Sequence, residues 1–134
     1  MGITRLDHVN IRTRNLAAMV AWYDRVLGFK PGPRPGFPFN GAWLYANGQA
    51  LVHLVDCESP EAYHKDLQLE HFAFSATGLT EFMAHLRAEK VAYYCGTLPQ
   101  FETRLVNLHD HDGNHIHVDF PWSEEADLSD YDGS

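Results

Sequence analysis

The 134 residues, 45% apolar and 21% charged, suffice for one domain with a buried core that needs no cross-links. A formal charge of −8, with ten scattered Lys and Arg, argues against a nucleic-acid partner, and no apolar run approaches the roughly 20 residues that span a bilayer. Met1-Gly2-Ile3-Thr4-Arg5 lacks the cationic and then apolar order of a secretion signal, so a soluble, cytoplasmic protein is expected.

In chain order, Leu6-Asp7-His8-Val9-Asn10-Ile11 alternates as a strand does. Leu16, Met19, Val20, Tyr23, Val26 and Leu27 then follow helical spacing, with Asn15 as N-cap and Gly28 as the stop. Residues 31–41 (PGPRPGFPFNG) hold four prolines and three glycines, which predicts a stiff loop and argues against a paired central strand. Such a loop can also form a pocket rim, in which Arg34, Phe37 and Phe39 grip a substrate. Residues 42–46 and 50–55 read as strands, with Trp43 and Tyr45 adding aromatic surface. The second half opens on Leu69-Glu70-His71-Phe72-Ala73-Phe74, continues with a helix marked by Leu79, Phe82, Met83 and Leu86, and adds β-type runs at about 92–96, 103–109 and 115–120. Arg104 lies on one of these runs, where it can meet an anionic substrate. Cys57 and Cys95 form no CxxC pattern and read as idle thiols. Residues 123–134 carry Glu124, Glu125, Asp127, Asp130 and Asp132 without a base, which predicts a loose, solvated terminus.

The two halves repeat. His71 follows His8 by 63 positions, Leu79 follows Leu16 by the same interval, and His117 follows His53 by 64. Two βαβββ modules result, at about 3–60 and 66–121 within a single domain of residues 1–122. Each carries one histidine on its first strand and one on its last. If those strands are neighbours, the paired imidazoles project from one face of a curved sheet. His8, His53, His71 and His117 are therefore the expected ligands of one divalent ion, since imidazole suits Fe, Zn, Ni and Mn at bond lengths of roughly 2.0–2.2 Å. His109 and His111 flank a turn, His64 and His85 read as solvated, and His115 is expected to face outwards.

The residues that carry this pattern resemble the vicinal oxygen chelate superfamily, which includes glyoxalase I, fosfomycin-resistance transferases, extradiol dioxygenases and bleomycin-resistance proteins. The resemblance rests on LDHVNI, on Trp22-Tyr23-Asp24-Arg25-Val26-Leu27-Gly28-Phe29, on LEHFAF, and on Asp110-His111-Asp112-Gly113-Asn114-His115-Ile116-His117. It implies an α+β fold of two βαβββ modules whose mixed sheets curl around a metal, often completed by a second chain, so a homodimer is expected. Family metal positions fall on His8, His53, His71 and His117. At the last of these, relatives usually carry Glu, which serves as base in glyoxalase-like members and as the carboxylate of the iron triad in extradiol dioxygenases. With His117 there, Asp119, two residues on and on the same strand face, becomes the candidate base, ligand or orienting partner.

These features point to a metal-dependent enzyme acting on a small substrate chelated through adjacent oxygens. Asp119 and His117 are its catalytic candidates, and Arg34, Phe39, Tyr45 and Arg104 line the substrate. Imidazole-rich ligation slightly favours a dioxygenase-like role over a glyoxalase-type lyase or isomerase. A non-catalytic binding protein of the bleomycin-resistance type is the reading from another class.

Overall fold

The computed structural model describes residues 1–2, 5–58 and 69–134. Expectations about His64 and about where the modules join lie outside these residues. The chain forms two compact units, Met1–His64 and Lys65–Ser134. Among the described residues, no helix is long and apolar enough to cross a membrane.

In the first unit, β1 (Val9–Thr13), α1 (Leu16–Leu27), β2 (Lys30–Gly32), β3 (Gly41–Ala46) and β4 (Gln49–Asp56) build a sheet of order β1-β4-β3-β2. Helix α1 forms because Met19, Trp22, Tyr23 and Val26 recur at helical spacing and can all be buried on one face. They pack with Leu44, Val52 and Leu54, all nearly inaccessible, and burial of each such side chain contributes about 1.5–3 kcal/mol. Gly28 ends the helix in the left-handed region at φ 72°, donating its N–H to Asp24 O at 3.0 Å. β1 runs parallel to β4, and β3 is antiparallel to it. Residues 33–40 form the expected loop, and β2 takes only the first two residues of the proline-rich stretch, which the sheet edge explains: Pro31 lacks an N–H, but an edge strand has one neighbour to satisfy. At Gly41 a Cβ would come within 2.3 Å of Leu54 O, so only glycine allows β3 to lie this close to β4.

The second unit repeats the order with β5 (Phe72–Ser75), α2 (Leu79–Ala88), β6 (Tyr94–Leu98), a 3-10 turn (Pro99–Phe101), β7 (Thr103–His109) and β8 (His115–Pro121), in a sheet of order β5-β8-β7-β6. The expected α+β architecture of two βαβββ modules is present. β8 alternates cleanly: Ile116, Val118 and Phe120 are buried, while His115, His117 and Asp119 turn to the other face. Leu79, Met83 and Leu86 of α2 join Val106, Leu108 and the buried β8 residues in this unit's core, with Phe82 and Phe120 ring centroids 5.6 Å apart.

The acidic terminus is not loose. Glu124 Oε1 accepts from the N–H groups of Gly78 (2.7 Å) and Leu79 (3.3 Å), placing a carboxylate at the N-terminus of α2, where the helix dipole favours it. Asp130 accepts from Cys95 N–H at 2.9 Å, and Tyr131 exchanges two backbone bonds with Tyr93. Two of the acids that look like a solvated run, Glu124 and Asp130, are partners of N–H groups at a helix start and a sheet edge. Cys57 and Cys95 are both free, and burial pushes the Cys95 thiol up to about 11, which keeps it protonated and unreactive.

Candidate functional site

The first unit sets His8 one residue before β1, not within it. Asn10 pairs with His53 across β1 and β4, and Trp43 pairs with His53 across β3 and β4, so strand alternation brings His8, His53 and Trp43 to one face. Their rings form a three-layer stack, with His8 and His53 centroids 3.8 Å apart and Trp43 and His53 centroids 3.9 Å apart, nearly parallel in both cases. His53, 7% exposed, donates Nε2–H to Ala50 O at 3.2 Å, which leaves Nδ1 with the lone pair. Burial, and then the charge of His8, lower the pKa of His53 and favour its neutral form. His8 donates Nδ1–H to Asp7 Oδ1 at 2.8 Å, and Arg5 binds the other oxygen of that carboxylate at 3.3 Å. The hydrogen bond from His8 holds the Asp7 carboxyl below its ordinary range.

Imidazole donates in its own plane, whereas these two planes are almost parallel. An ion about 2 Å from a nitrogen of one ring cannot also lie in the plane of the other. His8 therefore presents Nε2 ready for an ion, whereas His53 must leave the stack to share it. A cavity of about 470 Å³ opens here, lined by Arg5, Asp7, His8, Phe37, Trp43 and His53 among others.

The second unit gathers more imidazoles. His71 precedes β5 by one residue, and Ala73 of β5 pairs with His117 of β8, so His71 and His117 share a face, their ring centroids 4.5 Å apart. His71 donates Nδ1–H to Glu70, and His117 donates Nδ1–H to Asp119 Oδ1 at 2.5 Å, leaving Nε2 of both rings as donors to an ion. Of the three roles expected for Asp119, this contact matches the orienting one. His71 and His117 therefore each keep an Nε2 lone pair, the kind of donor a borderline divalent ion takes.

His115 departs from expectation. Two residues from His117 on a strand means the same face, and period-two counting was the signal that should have placed it there. Its Nδ1 lies 3.2 Å from Glu70 Oε1 and its Nε2 lies 2.9 Å from Asn107 Oδ1. The hydrogen bond from His71, and then the neighbouring His115 ring, hold the Glu70 carboxyl below its ordinary range. Ligand atoms of Glu70, His71 and His115 all lie within 4.8 Å of one another. His109 stacks on His115 at 5.3 Å, joining the same cluster.

The residues expected to line a substrate are mostly occupied elsewhere. Arg34 donates to Phe39 O at 2.9 Å and lies over the rings of Phe37 and Phe39, which stack on each other. It staples its own loop, and Phe37, not Phe39, lines the cavity. Tyr45 donates its hydroxyl to Pro33 O at 2.5 Å, clamping the edge of the sheet. Arg104 pairs with Phe120 in the β7–β8 register and so sits on the helix side, opposite His117; it donates to Trp122 O at 2.9 Å and lies 4.3 Å from that indole.

Residues 5–118 match the model of the Glyoxalase/Bleomycin resistance protein/Dioxygenase superfamily. The chain is 28% identical over 125 residues to "Glyoxylase I 4" of Arabidopsis thaliana, covering 88% of this chain and 71% of that protein. Its fold is similar to that of a glyoxylase/bleomycin resistance protein/dioxygenase domain from Frankia sp. EAN1pec (TM-score 0.73, 19% identity, 90% and 93% covered). It is also similar to that of lactoylglutathione lyase from Agrobacterium tumefaciens (TM-score 0.68, 18% identity, 90% and 96% covered).

Proposed function

We propose, for a chain that belongs to the Glyoxalase/Bleomycin resistance protein/Dioxygenase superfamily, a metal-dependent enzyme acting on a small substrate through two adjacent oxygens. His8, His53, His71 and His117 are its ligands, two from each unit. The observation that carries this reading is a set of three carboxylate–imidazole pairs: Asp7 with His8, Glu70 with His71, and Asp119 with His117. In each pair the carboxylate takes the Nδ1 proton and turns Nε2 outwards, as the outer partners of metal-binding histidines do. A bound divalent ion supplies Lewis-acid polarisation of the substrate's oxygens. Asp119, which accepts the Nδ1 proton of His117 beside the ion, is the group placed to take and return a substrate proton. Trp43 offers a flat apolar wall beside the polar group of His8.

Between subclasses, a lyase or isomerase of glyoxalase type is favoured over a dioxygenase. The relative named a glyoxylase I supports it, and so does a histidine–carboxylate pair suited to moving protons. A second reading, a binding protein without metal, is supported by the stacked His8, His53 and Trp43 rings over the cavity. The expected homodimer belongs to the same proposal and is checked by light scattering.

Metal analysis of protein purified without a histidine tag tests the main reading. One tightly held ion per chain is expected, lost in His8→Ala and in His71→Ala. Metal-free, well-folded protein that still binds an aromatic ligand contradicts it and supports the second reading.

A further inference from the structure

The face of the second unit holds two groups, Glu70 and His115, that are not ligands in the four-histidine reading. Asn107 donates Nδ2–H to Tyr94 O at 3.3 Å, and this fixes its amide so that Oδ1 points at His115. An amide oxygen only accepts, so the proton of the neutral His115 ring belongs on Nε2, 2.9 Å away. Tyr94 OH lies 3.3 Å from the same nitrogen. His115 Nδ1 is then a bare lone pair, and it faces the Glu70 carboxylate at 3.2 Å. Two acceptors at that distance repel unless a proton or a metal ion lies between them. Two cis ligands on an ion with bonds of about 2.1 Å stand about 3 Å apart, which is this spacing. The other oxygen of Glu70 meets His71 Nδ1.

We infer that Glu70, His71 and His115 form a second cation site, within this unit alone, that binds a borderline divalent transition ion through two imidazole Nδ1 atoms and one carboxylate. The ion replaces the proton shared by Glu70 and His71 and fills the gap between Glu70 and His115. Three protein ligands leave positions for water or a small anion. Asn107 and Tyr94 orient His115 from behind, as outer partners of metal ligands do. With Glu70 and the ring of His71 both substantially exposed, this site is the weaker and more exchangeable of the two. It uses Nδ1 of His71, whereas the proposed catalytic ion uses Nε2, so removing His8 and His117 tests it apart from that reading.

The test uses the full chain carrying His8→Ala and His117→Ala, which removes the four-histidine set while retaining Glu70, His71 and His115. Titrated with Co²⁺ alone and followed by visible absorption and calorimetry, this variant is expected to bind one ion. Adding Glu70→Gln or His115→Gln is expected to weaken that binding by more than about 100-fold, beyond the range typical of outer partners. Glu70→Gln changes an exposed side chain and keeps the fold, which circular dichroism verifies. No Co²⁺ uptake by the double variant, or uptake indifferent to both added substitutions, overturns the inference and leaves only shared protons in the cluster.

Discussion

The two units carry the same dyad in different company. Each sets a histidine just before its first strand and backs it with the preceding acid, Asp7 or Glu70. In the first unit the acid's other partner is the guanidinium of Arg5, which is always charged and never a ligand; in the second it is His115, which can be one. The last-strand histidines diverge too. His53 is buried between two rings with its Nε2 given to a backbone carbonyl, whereas His117 is held by Asp119 with Nε2 left over. One topology thus yields an aromatic wall over a cavity in one unit and a face rich in donors in the other.

That contrast can be broken at its strongest point first. His71→Ala is expected to cut affinity for the tightly held ion by more than about 100-fold in competition with a chelator, while His85→Ala, on α2, leaves it unchanged. If the two substitutions behave alike, the donor-rich face is not where the ion binds. Asp119→Asn keeps the size but loses the charge that holds His117, and about 10- to 100-fold weaker metal binding is expected from the same titration. Asp7→Asn, at the more exposed dyad of the first unit, is expected to fall at the low end of that range.

Stability should differ between the units as well, because the acidic terminus braces the second. Glu124→Gln removes a charge from the start of α2, and a loss of about 1 kcal/mol in urea unfolding is expected. The smallest effect concerns pH. Burial and then the charge of His8 depress the pKa of His53, so its ring resonances should titrate below about 6.5, the ordinary value, and move up in His8→Ala. Since the folded pKa is the lower one, the stability His53 contributes is complete above about pH 6.5 and is lost as pH falls through the folded value. A midpoint at or above the ordinary value would show that the stack does not persist in solution.

Most of the fold was legible because burial imposes period on sequence. Met19, Tyr23 and Val26 announce α1, and the 63-residue echo of His8 in His71 announces the second unit before any pairing is known. β2 was hidden, since Pro31 forbids a central strand but not an edge one. The terminus was hidden because Glu124 and Asp130 find partners 46 and 35 positions away, and composition carries no trace of such pairing. Among candidate site residues, the pairing of His8 with His53 and of His71 with His117 follows from first strand lying parallel to last. The two arginines and Tyr45 look alike to sequence whether they face substrate or staple a loop. Only the register puts Arg104 on the helix side, whereas period-two counting by itself puts His115 beside His117.

The most direct measurement is X-ray absorption at the zinc edge of the 134-residue chain loaded with one equivalent of Zn²⁺, repeated for His53→Ala. The account predicts a first shell dominated by imidazole nitrogen, drawn from His8, His53, His71 and His117, with one imidazole fewer in the variant. A shell unchanged by His53→Ala would mean that His53 stays in its stack and the ligand set is wrong; zinc lost on desalting would contradict the metal reading altogether.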